Sequence, residues 1–109
     1  MIVVHAAVPI VPDRRSEALE LIEDLADRSR AESGVVDYRA TTEVGDPNVV
    51  RFFERYEDEA ALEAHQASEH YREWAEALPD LLDGGVADLD VTQFVVEEAF
   101  DPNADVDRE

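Results

Sequence analysis

The apolar residues of this chain arrive in blocks, and the order of those blocks leaves few folds open. Ile2 to Val8 is rich in β-branched residues, interrupted only by His5 and closed by Pro9 and Pro12, which is the pattern of a strand. Ala18, Leu21, Ile22, Leu25, Ala26 and Ser29 then recur at helical spacing, with most acidic residues on the other side. Asp13 is placed to cap that helix near Arg14, and Gly34 to end it in a left-handed conformation. Val35 to Thr42 and Val49 to Tyr56 read as two further strands, joined as a hairpin by Gly45, Asp46, Pro47 and Asn48. Asp58 caps a helix from Glu59 to about Gln66, and Ser68 offers a second cap for a helix from Glu69 towards Leu78. Beyond Pro79 and the Gly84-Gly85 break, Val86 to Val96 supplies a fourth strand.

This β-α-β-β-α-β order is the split βαβ arrangement of the α+β ferredoxin-like folds. Residues 1–98 hold all of it, which is one domain's length, with no internal repeat or linker. Residues 99–109 are acidic and almost without apolar side chains from Asp101 onward, the composition of a mobile tail. With both helices on one face of the sheet, the other face is bare. Phe52 and Phe53 are adjacent on the third strand and must point to opposite faces, as must Val95 and Val96 on the last. The uncovered face is therefore partly apolar, and a homodimer packed sheet to sheet is the simplest way to bury it.

Charge narrows the partners. The chain has 28 acidic and 9 basic residues, a net −19 with histidines neutral, and all its basic residues are arginine. Such a field repels phosphates, so nucleic acid and anionic membrane surfaces are not expected partners. Disorder is not expected either, because 45% of the residues are hydrophobic and fall in periodic blocks. Acidic residues spread over every segment, with no lysine, suit a salt-rich cytoplasm, where charges are screened within ~3 Å at molar salt. A halophile source is the expectation. The absence of cysteine excludes disulfides, thiolate metal sites and cysteine nucleophiles. No run approaches the ~18 apolar residues of a membrane helix, and Met1 to Pro9 lacks the basic and long apolar regions of a signal peptide. The chain reads as a cytoplasmic domain.

Few residues can carry chemistry. His5 shares a strand face with Val3 and Ala7, where it either lines a cavity or is satisfied within the core. His65 and His70 are separated by about 140° on an unbroken helix. That is neither the i, i+4 pair of a zinc helix nor an HExxH, so no metal site is expected. A break at Ser68 would remove this restriction and let both rings face one cavity. Trp74 forms an apolar stripe with Tyr71 and Leu78, either as core or as the wall of an aromatic pocket. Glu54 shares a strand face with Phe52 and Tyr56, where an arginine ion pair is its expected partner. No GxSxG, GxGxxG or P-loop is present, so neither a serine hydrolase nor a nucleotide cofactor has support.

The segment carrying Phe52, Glu54, Tyr56, Leu62, His65, Ser68, His70 and Tyr71 resembles the signature of antibiotic biosynthesis monooxygenase domains. Those domains show an apolar strand ending in Glu-x-aromatic, an acidic turn, Ala-Leu-x-x-His, and a Ser-x-His opening the next helix. The likeness extends from Ile2 to about Val96 in the order of elements. It implies a dimeric α/β barrel with a pocket between sheet and helices in each subunit. It also implies oxidation of quinol-like or polycyclic aromatic substrates by O2 with no cofactor. Under this resemblance His65 and His70 handle protons or orient the substrate, while His5, Glu54, Tyr56 and Trp74 line its pocket. The haem-degrading branch of the family uses a first-strand asparagine, a helix tryptophan and a histidine ligand about ten residues later. Ala7, His65 and Ala75 stand at those places, so haem chemistry is not expected. Two rival readings are a non-catalytic dimer that binds a small aromatic ligand, and an isomerase or decarboxylase on the same barrel.

Overall fold

The computed structural model describes residues Met1–Asn103; the rest of the expected tail, 104–109, lies outside the described residues. The elements are β1 (Ile2–Pro9), α1 (Arg15–Arg30), β2 (Val35–Thr42), β3 (Val49–Tyr56), α2 (Glu59–Gln66), α3 (Glu69–Leu81) and β4 (Asp90–Val95). The strands form one antiparallel sheet in the order β2-β3-β1-β4, the α+β ferredoxin-like arrangement.

Alternation on β1 sets up the two faces. Ile2, Val4, Ala6 and Val8 are buried, while the residues between them stay partly exposed. Across the sheet Ile2 meets Tyr56, Val4 meets Glu54, Ala6 meets Phe52 and Val8 meets Val50, so the same face of β3 is buried. Ala18, Ile22, Leu25 and Ala26 of α1 pack on it with Trp74, Leu78 and Leu81 of α3. Each large apolar side chain buried this way contributes ~1.5–3 kcal/mol. The opposite face carries Val3, His5 and Phe53, with Phe94 beside Val3; Phe53 is 40% and Phe94 49% exposed.

Several boundaries differ from the sequence expectation. Pro12–Arg14 forms a short 3-10 turn, α1 begins one residue later at Arg15, and Asp13 makes no capping bond. The helix ends at Arg30, and Gly34 is not left-handed; Gly84 alone among the described residues has a positive φ. Gly34 is required for a different reason. A β-carbon there would lie 2.5 Å from Cβ of Ala61, so α2 packs directly on backbone. The two later caps form as expected: Asp58 accepts from Ala61 N–H at 2.8 Å and Ser68 Oγ from Tyr71 N–H at 3.2 Å. Proline at 79 does not stop α3, which continues to Leu81. The last strand is shorter than Val86 to Val96, because Val86–Asp88 closes a 3-10 turn first. Val96 lies just past β4, where its N–H donates to the Met1 carbonyl at 2.8 Å.

Candidate active site

Between the helix-covered face of the sheet and α2 and α3 lies a cavity of about 170 Å³. Val4 and Ala6 of β1 form its floor, and Tyr38, Phe52, Tyr71 and Trp74 surround it with aromatic rings. Phe52 and Trp74 pack at 5.6 Å between centroids, and Tyr38 meets Phe52 edge-on at 6.2 Å. Gln66 and Gln93 add neutral amides, and Glu54 is its one ionisable carboxyl. The cavity opens beside β4, where Val91 is 56% exposed.

Glu54 is the chemically distinctive group. It is buried, and that burial pushes its carboxyl up from 4.5 to about 7, while a hydrogen bond from the Tyr56 hydroxyl works in the opposite direction. Its partner is therefore a tyrosine and not the arginine expected from sequence. Strand alternation is the reason: Arg55, the adjacent residue, points to the other face and pairs there with Asp37 at 3.7 Å. Burial, reinforced by the Glu54 charge, holds the phenols of Tyr38 and Tyr56 well above the ordinary tyrosine range. Both remain protonated donors. Glu54 is thus poised to exchange a proton near neutrality inside an aromatic pocket.

The two helix histidines converge, but not on the cavity. Because α2 ends at Gln66 and Ser68 starts α3 in an extended conformation, the 140° rotation of a continuous helix does not apply. Their rings stand 5.8 Å apart. One oxygen of Glu32, Oε2, accepts from His65 Nδ1 at 2.8 Å and from His70 Nε2 at 2.7 Å. A carboxylate only accepts, so each ring carries its proton on the nitrogen facing Glu32. His65 is 1% exposed, and burial lowers its pKa despite the pull of Glu32. Tyr38, Tyr56 and Tyr71 surround its ring at centroid distances of 5.2–5.4 Å. Two of them, Tyr38 and Tyr71, also line the cavity, so an aromatic wall stands between the histidines and this cavity.

Of the six site residues expected from sequence, Glu54 and Trp74 border the cavity and Tyr56 sits behind Glu54 as its donor. His65 and His70 form a separate cluster behind the wall. His5 lies on the far side of the sheet, opposite Phe53 and Thr92, because Val4 and Ala6 take the cavity-facing positions. Sequence reasoning missed Glu32 and Tyr38, while Tyr71 takes the pocket-wall place that its stripe with Trp74 allowed. For Glu32 there was one signal: a carboxylate two residues past the C-terminus of α1, where the helix dipole disfavours negative charge. A larger, open trough of about 420 Å³ runs between α1 and β2, but Arg30 on its rim is already held by Asp27 and the Tyr38 carbonyl.

The chain has clear counterparts among known proteins. A family model described as antibiotic biosynthesis monooxygenase matches residues 1–77. The YcnE protein of Bacillus subtilis (strain 168) is 33% identical over 98 residues, covering 90% of this chain and 100% of that protein. Among solved structures, Rv0793 from Mycobacterium tuberculosis superposes with a TM-score of 0.81 at 26% identity, covering 90% of this chain and 96% of that one. A crystal structure of an antibiotic biosynthesis monooxygenase gives a TM-score of 0.81 at 26% identity, with 90% and 100% coverage.

Proposed function

Because the chain belongs to the antibiotic biosynthesis monooxygenase family, we propose that it oxidises a quinol-like or polycyclic aromatic substrate with O2, using no organic cofactor. The carrying observation is the aromatic cavity with a single buried carboxyl, Glu54, which burial pushes up to about 7. Near neutral pH a substantial fraction of Glu54 is ionised and able to take a proton from a phenol or an activated ring CH. The resulting electron-rich anion reduces O2 directly. One oxygen atom enters the product and the other leaves as water, with all four electrons and the two protons of that water supplied by the substrate. The protein's part is to orient the ring against the packed pair Phe52 and Trp74, accept the proton and keep bulk water out. Tyr56 regulates the basicity of Glu54 through its hydrogen bond. His65 and His70, held on Glu32 behind the wall, support the tyrosines that shape the cavity.

The bare sheet face supports a homodimer, with Phe53 and Phe94 as the apolar centre and the Arg55–Asp37 and Arg39–Asp37 pairs around it.

Oxygen uptake with a panel of hydroquinones and anthrones tests the activity. Turnover by the natural chain, reduced at least a hundredfold in Glu54→Gln with the fold intact, is the expected result. Ligand binding without oxygen consumption would replace this reading with a non-catalytic aromatic-binding dimer. Conversion that continues under nitrogen would point to an isomerase or decarboxylase.

A further inference from the structure

We propose that Glu32, His65 and His70 form a binding site for a divalent transition-metal ion of the zinc type, separate from the aromatic cavity. Two imidazole nitrogens and one carboxylate oxygen are a donor set suited to borderline metals such as Zn²⁺ or Co²⁺. The three donor atoms, His65 Nδ1, His70 Nε2 and Glu32 Oε2, all lie within 4.8 Å of one another.

The contacts to the Glu32 oxygen need little adjustment, and the two nitrogens lie within 4.8 Å of each other. Tetrahedral bonds of ~2.0–2.1 Å place neighbouring donors ~3.3 Å apart. The two nitrogen–oxygen separations are 2.8 and 2.7 Å, so each has to open by only about half an ångström. The donors come from three places in the fold: the turn after α1, the last turn of α2 and the first turn of α3. The backbone holds them there independently of any ion. Ser68 Oγ donates to the His65 carbonyl at 2.5 Å and caps α3 at the same time, which fixes the relation of the two rings.

Access and charge also fit. The side chain of His65 is 1% exposed, but those of His70 and Glu32 are 11% and 19% exposed, so one side of the cluster meets solvent. An ion can enter there and keep a water as its fourth ligand. With neutral imidazoles the site carries one negative charge within a chain of net −19, a field that concentrates cations. Binding displaces the proton from each ligating nitrogen to the other nitrogen of its ring. For His65 that is Nε2, which is buried and has no hydrogen-bond partner among the described residues.

The site is independent of the oxidation proposed above, since the tyrosine wall separates it from the cavity. The test uses the full chain, stripped with chelator and dialysed. Calorimetric titration with Zn²⁺, and the visible absorption of added Co²⁺, report affinity and coordination. Wild type is expected to bind one ion per chain, give a tetrahedral Co²⁺ spectrum and melt at a higher temperature with Zn²⁺. Glu32→Gln and His70→Ala are expected to lose at least the 10–100-fold in affinity that even residues supporting a metal ligand cost. Glu20→Gln, exposed on α1, serves as the control for diffuse binding by surface carboxylates and is expected to leave affinity unchanged. Circular dichroism confirms folding of each variant. No binding by wild type, an all-oxygen Co²⁺ spectrum, or equal binding by folded Glu32→Gln and His70→Ala would overturn the proposal.

Discussion

Replacing Glu54 by glutamine should make the protein more stable, and only above a certain pH. Burial raises this carboxyl from 4.5 to about 7. The folded chain therefore holds the Glu54 proton more tightly than the unfolded chain does. Below pH 4.5 both states are protonated and Glu54 has no effect on stability. Between 4.5 and 7 the unfolded chain releases its proton first, so stability falls as pH rises. Above 7 both states are ionised, and the folded state bears the whole cost of a buried charge. At ~1.36 kcal/mol per pKa unit, the move from 4.5 to about 7 amounts to ~3 kcal/mol. That is a large part of the ~5–15 kcal/mol that holds a domain together. Glutamine has nearly the same shape, cannot ionise, and still accepts from the Tyr56 hydroxyl. Urea denaturation of both proteins at pH 4.5, 6, 7 and 8 gives the comparison; with so many other carboxylates titrating, only the difference at each pH is informative. At pH 8 the variant's midpoint should lie about 1.5 M higher for an m-value of ~2 kcal/mol/M, and the difference should vanish at pH 4.5. A difference that does not change with pH, or a variant less stable at pH 8, would refute the assignment of Glu54 as a buried near-neutral acid. Loss of oxygen uptake in this same, more stable variant would identify the stability sacrificed at this position as a functional cost.

Four other outcomes are expected. Gly34→Ala drives a β-carbon to 2.5 Å from Ala61 and should destabilise by ~1–3 kcal/mol, with most of that recovered on adding Ala61→Gly, as chemical denaturation will measure. Trp74, the only tryptophan, borders the cavity, so its fluorescence should change saturably with an aromatic ligand; a ligand that inhibits without altering emission would place binding elsewhere. Phe53→Asp puts a charge at the centre of the bare face and should convert the proposed dimer to monomer by sedimentation, and unfolding in low and multimolar KCl should show stability rising with salt if the acidic surface is a salt adaptation.

Much of the fold was legible because its signals are local. The alternation of β1, the Asp58 and Ser68 caps and the turn residues between β2 and β3 each announce one element within a few residues. Asp13 and Gly34 misled for the same reason. Both have the right local chemistry for helix ends, but Pro12 sets the first turn of one, and the contact that requires Gly34 is with Ala61 on another element. The site was less legible because it depends on which face each residue takes. Glu54 and Trp74 could be assigned from strand and helix period. His5 needed the register against β3 to show that its face is the bare one. Glu32 joins His65 and His70 across 33 and 38 residues, and no spacing rule reaches that far.

The single turn between α2 and α3 also limits how this chain can vary. Connections between helices usually tolerate added or lost residues, because they run over the surface and bear no fixed load. Here the residues Ala67 and Ser68 determine the angle between a helix that ends just after His65 and one that begins just before His70. One residue inserted or deleted would rotate one histidine by ~100° about its helix and remove it from Glu32. Sequences descended from a common ancestor with this one should therefore vary freely in length at the β2–β3 hairpin and keep a constant spacing between the two histidines. Length, more than identity, is the inherited quantity at this turn.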